Sequence, residues 1–186
     1  ALLVVAAYLL IVNPDLLVGG TPQDNTDDEY IELFNVTNAP TPLYDPHYPT
    51  NQWRIRKGVS FDFPPNLTMP ARSYLLVVAF NPTNTALLDA FRAKYNVPAD
   101  VMVLGPYSGK LDNRGEAIEL LKPDAPQPLD SPKPGLVPYI LVDQVAYEDR
   151  SPWPEAPDGL GDSLQRRSAI VYGNDPVHWL GAPPTA

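Results

Sequence analysis

Three stretches of the chain hold residues in the order used by phosphate-binding or catalytic loops. Gly105-Pro106-Tyr107-Ser108-Gly109-Lys110 has the glycines, hydroxyl and lysine of a loop that cradles phosphate. It is one residue short of that pattern, and Leu111 stands where a magnesium-binding Ser or Thr belongs, so it reads as a turn. Gly58-Val59-Ser60-Phe61-Asp62 and Gly161-Asp162-Ser163-Leu164-Gln165 both lack the closing glycine of a nucleophile elbow. The 186 residues include two histidines, His47 and His178, and no cysteine. A serine triad or a histidine-rich metal site has few bases to draw on, and disulfides and thiolate chemistry are excluded. The chain reads as a non-enzyme, with no catalytic or cofactor-binding residue.

Calcium is the one cofactor the residues suggest. Asp24, Asn25, Asp27 and Asp28 are hard oxygen donors in one loop, without the spacing of an EF-hand. The competing reading is a solvated acidic loop whose Asp and Asn side chains make local turns. Asn35-Val36-Thr37 and Asn66-Leu67-Thr68 fit the N-glycosylation triplet, and no role is assigned to them. Tyr44, Tyr48 and Tyr107 lie in loops, where they either form a contact surface or fold over the ends of the core.

Composition narrows the class. The formal charge is −9, with 22 acidic against 13 basic residues. That balance opposes a phosphate backbone, so nucleic acid is not expected as a partner. With 44% hydrophobic residues the chain can bury a core. Its 24 prolines are more than twice the usual share of about 5%, and read as punctuation between short strands. Residues 1–12 are uncharged but shorter than the roughly 20 residues of a membrane-spanning helix, and lack the basic start of a signal peptide. Their Val and Ile content favours one or two buried strands. A signal remnant, or an assembly strand carried by Leu2, Leu3, Val4, Val5, Tyr8, Leu9 and Leu10, remains the alternative.

Alternation places the remaining elements. Ile31 and Leu33 share one strand face with Glu32 opposite, and residues 53–56 and 59–63 repeat the device. Residues 74–80 are continuously apolar, as in a strand buried on both faces. One helix is expected after a cap at Thr83 or Asn84, with Leu87, Phe91 and Tyr95 on its packed stripe, Leu88 beside them, and Asn96 and Pro98 at its end. Further strands are expected at 101–104, around Ile118 and Leu120, at 139–147 and at 169–172. Residues 38–51 and the proline-rich 122–138 read as surface loops. In residues 151–167, Trp153 between two prolines reads as a plug for the core, with turns at Asp158-Gly159 and Gly161. Many short strands with one helix make an all-β sandwich. The domain is taken as residues 13–182, with 1–12 an apolar strand segment before it and 183–186 a linker or terminus.

Five stretches then carry a family likeness: Asp28-Glu29-Tyr30-Ile31-Glu32-Leu33-Phe34-Asn35, residues 105–116, Val142-Asp143-Gln144-Val145-Ala146-Tyr147, residues 151–167, and Asn174-Asp175-Pro176-Val177-His178-Trp179. In this order they resemble the motifs of bacterial lamin-tail domains, over roughly residues 8–182. The resemblance implies an immunoglobulin-like β-sandwich without catalytic residues, a module of a larger secreted or cell-surface bacterial protein. Glu32, Trp53, Gly115, Trp153, Asp158, Gly159 and Trp179 are taken as structural positions. Arg72-Ser73 departs from the family, which usually has a glycine in that turn. The expected function is scaffolding or interaction through the loops, with other domains of the same polypeptide or neighbouring surface subunits as partners. The alternatives are a subunit joined to its neighbours by strand addition of residues 1–12, and a targeting module for an attached hydrolase.

Overall fold

The computed structural model describes residues 11–12, 16–18, 21–23, 26–112, 114–155 and 162–184. The strands are β1 (Ile11–Val12), β2 (Leu16–Val18), β3 (Thr21–Gln23), β4 (Tyr30–Phe34), β5 (Thr41–Pro42), β6 (Tyr44–Asp45), β7 (Tyr48–Gln52), β8 (Arg54–Lys57) and β9 (Val59–Asp62). There follow β10 (Thr68–Met69), β11 (Tyr74–Val78), helix α1 (Thr85–Tyr95), β12 (Met102–Leu104), β13 (Ser108–Gly109), β14 (Ala117–Pro123), β15 (Tyr139–Ala146), β16 (Ser163–Arg166) and β17 (Trp179–Ala182). The chain is mostly short β-strands with one short helix.

Two sheets dominate. A six-stranded sheet has the order β12-β11-β4-β1-β16-β17, and a five-stranded sheet the order β13-β9-β8-β14-β15. β11 and β12 are parallel, joined through α1, because a parallel pair needs a crossover connection. Ile31, Leu33, Leu75, Val77, Leu164 and Trp179 of the first sheet meet Ile55, Val59, Ile118, Leu120 and Val145 of the second in one core. Side chains alternate across a strand, so the neighbours of those residues face the other way. Tyr30, Leu76 and Val78 accordingly form a second core with Phe91, Tyr95 and Val97. Both faces of β11 are therefore buried, which is why residues 75–78 are all apolar.

Helix α1 starts where Asn84 accepts a hydrogen bond from the Leu87 N–H and ends at Asn96 in the left-handed region. Its packed stripe differs from the sequence expectation at one position. Leu88, Phe91 and Tyr95 pack inward, whereas Leu87 is exposed. The Phe91 and Tyr95 rings lie 5.2 and 5.3 Å from that of Tyr30.

Two other expectations change. Residues 169–172 form a turn, with Ile170 82% exposed, and the last strand is instead β17. Residues 38–51 hold β5, β6 and much of β7, and Leu43 is buried in the main core. The proline-rich segment is a loop, as expected, over residues 124–138 between β14 and β15, tied by Asp124 N–H to Pro138 O and Gln127 N–H to Leu136 O. Of residues 1–12 the described part, β1, pairs with β4 on one side and β16 on the other. Residues 1–10, with the assembly candidates Leu2, Leu3, Val4, Val5, Tyr8, Leu9 and Leu10, lie outside the described residues. Among the described residues no helix is long and apolar enough to cross a membrane.

Two outcomes follow from this architecture. Phe91→Ala, which empties the second core, is expected to cost about 3–5 kcal/mol in urea unfolding, and Leu87→Ala within about 0.5 kcal/mol. Deleting residues 1–12 removes the strand between β4 and β16, so the shortened chain is expected to lose cooperative unfolding; a folded monomer by light scattering and circular dichroism would show β1 to be dispensable.

Candidate functional site

The loop after β12 and the turn before β14 meet at one end of the main core. Tyr107 plugs that end, 5% exposed, with its N–H bonded to Val78 O at 3.1 Å. A Cβ on Gly105 would lie 2.7 Å from Val78 O, so only glycine allows the loop this close to β11. The Tyr107 hydroxyl donates to Glu29 Oε2 at 2.7 Å, and the Leu111 N–H donates to the same oxygen at 2.9 Å. Glu29 is fully buried just before β4, so this carboxylate ties the 107–111 loop to the central strand.

A second tyrosine fixes the neighbouring turn. The Tyr147 hydroxyl lies 2.8 Å from Asp112 O and 3.2 Å from Glu116 Oε1, and the Asp112 N–H donates to Glu116 Oε1 at 3.1 Å. The Glu116 carboxylate packs over Gly58, where a Cβ would come within 1.9 Å of Oε2. Gly115, at φ 115°, leaves no room for a Cβ, which would sit 2.4 Å from Tyr147 O. Burial raises the pKa of Glu116, a trend that the Asp112 N–H and the Tyr147 hydroxyl oppose. Burial, then the charges of Glu29 and Glu116, push the Tyr107 and Tyr147 hydroxyls well above the ordinary tyrosine value. Both stay protonated and act as hydrogen-bond donors.

On this base lies an open groove of about 470 Å³ between residues 114–116 and 146–150. Its walls are held by main-chain bonds, Tyr147 N–H to Glu116 O at 3.0 Å and Asp149 N–H to Arg114 O at 3.3 Å. Arg114, Glu116, Glu148, Asp149 and Arg150 line it, with Arg150 Nε bonded to Glu148 Oε2 at 2.8 Å. The lining has no Ser, His or Lys. It presents guanidinium and carboxylate groups, the side chains that form charge-assisted hydrogen bonds.

No family model, curated protein or solved structure matches this chain. The residues themselves carry the functional reading.

The sequence candidates fall in different places. Trp153 and Trp179 are buried with ring centroids 6.2 Å apart, and Trp53 is buried in the same core. Glu32 is 6% exposed on β4, and burial raises its pKa to about 7. Arg72, where a glycine was expected, has φ 53° and donates from Nε to Asn38 Oδ1 at 2.9 Å. Asp158 and Gly159 lie outside the described residues, as do Asp24 and Asn25 of the calcium candidate. Of the other two, Asp28 is buried and its carboxylate pairs with Lys94 of α1, and Asp27 is exposed. Among the described residues no group of three His, Asp or Glu is placed to hold a metal ion.

Residues 105–110 lead into the edge strand β13 rather than a helix, so they lack the helix N-terminus of a phosphate site. Ser60 pairs across strands with Ser108, and the Ser163 hydroxyl donates to Ala182 O at 2.9 Å. His47 is exposed beside Asp45, and His178 Nδ1 lies 2.7 Å from Tyr172 O. Tyr107 is a core plug, while Tyr48 is exposed. Asn35 is fully buried and its amide donates to Ala39, Met69 and Pro70 carbonyls, whereas Asn66 is exposed in a turn.

Sequence reasoning missed a buried ion pair between β15 and β16. Arg166 Nη1 donates to Asp143 Oδ2 at 2.5 Å and Nη2 to Asp143 Oδ1 at 3.2 Å, and Nη2 also reaches Val171 O at 2.6 Å. The guanidinium lies over the Trp179 ring, whose Nε1 donates to Gly173 O at 2.7 Å. These contacts clamp residues 167–178 onto β15 and β16. A lone acid inside the apolar run 139–147 was the available signal, because a charge at such a position needs a partner. Asp143→Ala leaves a buried guanidinium short of its counter-ion and is expected to cost about 3–5 kcal/mol in chemical denaturation. Arg56→Ala, at the more exposed pair with Asp62, is expected to cost no more than about 1 kcal/mol.

Proposed function

We propose that this chain is a non-catalytic binding or scaffolding module of a larger secreted or cell-surface protein, an immunoglobulin-like sandwich of the lamin-tail kind. The observation that carries the reading is the groove over residues 114–116 and 146–150. Its five charged side chains stand on loops whose polar groups are already used for anchoring: Tyr107 on Glu29, and Tyr147 on Asp112 and Glu116. Recognition residues on loops held by a rigid scaffold are the usual arrangement of a binding module. The two sheets sharing one core fit the sandwich, and the left-handed backbone of Arg72 fits a turn in which the family usually has glycine.

In this reading a partner is recognised by charged groups at the groove, whether it is another domain of the same polypeptide or a neighbouring surface protein. Strand addition by residues 1–12 would make the chain an assembly subunit instead. The inner position of β1, between β4 and β16, favours an internal strand. Calcium at the acidic loop of Asp24, Asn25, Asp27 and Asp28 remains a separate proposal, and the pairing of Asp28 with Lys94 sets a competitor for one of those carboxylates.

The test is a selection of displayed peptides on the immobilised chain. Selected peptides are expected to lose at least about tenfold in affinity, roughly 1.4 kcal/mol, when Arg114 and Arg150 are both changed to Glu, with the melting temperature unchanged. Peptides that bind the doubly substituted chain equally well would place recognition elsewhere on the surface.

A further inference from the structure

Glu32 sits at the middle of β4 with its side chain on the face that carries the second core. Directly opposite on β11 is Leu76, and Tyr30 and Phe34 flank it two residues away on its own strand. Phe34 and Tyr74 close one side as a ring pair 4.6 Å apart, and α1 seats Phe91 and Tyr95 against Tyr30 on the other. The residue is 6% exposed, and no donor or cation among the described residues bonds to its carboxyl.

The charged groups of the surrounding elements are all placed otherwise. On α1, Lys94 pairs with Asp28, the Arg92 guanidinium donates to Pro98 O and Val101 O, and Asp89 is exposed. β11 offers Tyr74 alone as a titratable group, and residues 1–12, which include β1, offer Tyr8 alone. On β4 itself there is Tyr30, whose hydroxyl is pushed up by burial and then by the Glu32 charge. Among the described residues a carboxylate here has no counter-ion, and its burial leaves it little contact with solvent.

We propose that Glu32 is a proton-controlled element of the fold: the folded sheet holds it as the neutral acid, and its ionisation weakens the face on which α1 docks. Burial raises its pKa from 4.5 to about 7. The folded protein thus holds this proton over a range in which the unfolded chain has released it. The contribution to stability is complete below the unfolded value near 4.5 and is lost as pH rises to the folded value near 7. Above that the penalty is constant, so the change falls in the mildly acidic to neutral range.

The experiment compares unfolding of the full chain with its Glu32→Gln variant from pH 4 to pH 8.5. Gln keeps the size of the neutral acid and cannot ionise. The ratio of the unfolding constants, native over variant, is expected to rise by up to about tenfold per pH unit between 4.5 and 7, roughly 300-fold in all, and then to level off. A ratio that stays flat over this range overturns the proposal. Carbon-13 NMR of the native chain gives a second readout that does not require the variant to fold. A Glu32 carboxyl titrating with a midpoint near 7 supports the proposal, and a midpoint near 4.5 removes it.

Discussion

The pairing of β4 with β11 is the constraint on which the rest of the molecule depends. These strands lie inside the six-stranded sheet, and both of their faces are covered by apolar side chains, one by the five-stranded sheet and the other by α1. In such a pair the register decides which core each residue joins, and a slip of one residue would exchange the two sets. The observed register puts Leu33 opposite Leu75 and Ile31 opposite Val77 for the main core, with Tyr30 opposite Val78 for the helix side. Ring contacts from Phe91 and Tyr95 to Tyr30 hold that choice from outside the sheet.

A strand buried on both faces has no cheap position for a polar side chain, and three carboxylates near β4 meet that condition differently. Glu29, one residue before the strand, receives two donors from the 107–111 loop. Asp28, one residue further out, takes Lys94 and so fastens the end of α1. Glu32, within the strand, has no counter-ion among the described residues, and burial raises its pKa to about 7. The same solvent exclusion that makes the first two into fasteners makes the third sensitive to pH.

Much of this was legible in the sequence, and the limits are physical. The alternation at Ile31 and Leu33, the apolar run at 74–80 and the cap at Thr83 or Asn84 are local signals, and each located its element, β11 ending at Val78 and α1 starting from Asn84. The helix stripe was legible at Leu88, Phe91 and Tyr95 and wrong only at Leu87, because the two leucines satisfy helical spacing almost equally and the position of Tyr30 on another element separates them. Residues 169–172 look like a strand by composition, yet Arg166 Nη2 uses the Val171 carbonyl and the chain turns there. Of the site, the glycines at 105, 109 and 115 signalled close turns. The pairing of Tyr107 with Glu29 joins residues 78 apart, and that of Arg166 with Asp143 joins residues 23 apart, distances over which no local pattern extends.

Those long-range polar contacts explain how a groove can be formed from loops without being soft. Ordering a loop residue costs about 1–2 kcal/mol in backbone entropy, so a recognition surface made of loops is a poor binder unless that entropy is removed before the partner arrives. Here the ordering comes from Tyr147 under the turn at Glu116 and from Gly58, which makes room for that carboxylate. Arg114, Glu148, Asp149 and Arg150 are left on the surface of a frame already set. Substituting them changes the charge that the groove presents, whereas substituting the groups beneath changes whether the groove exists.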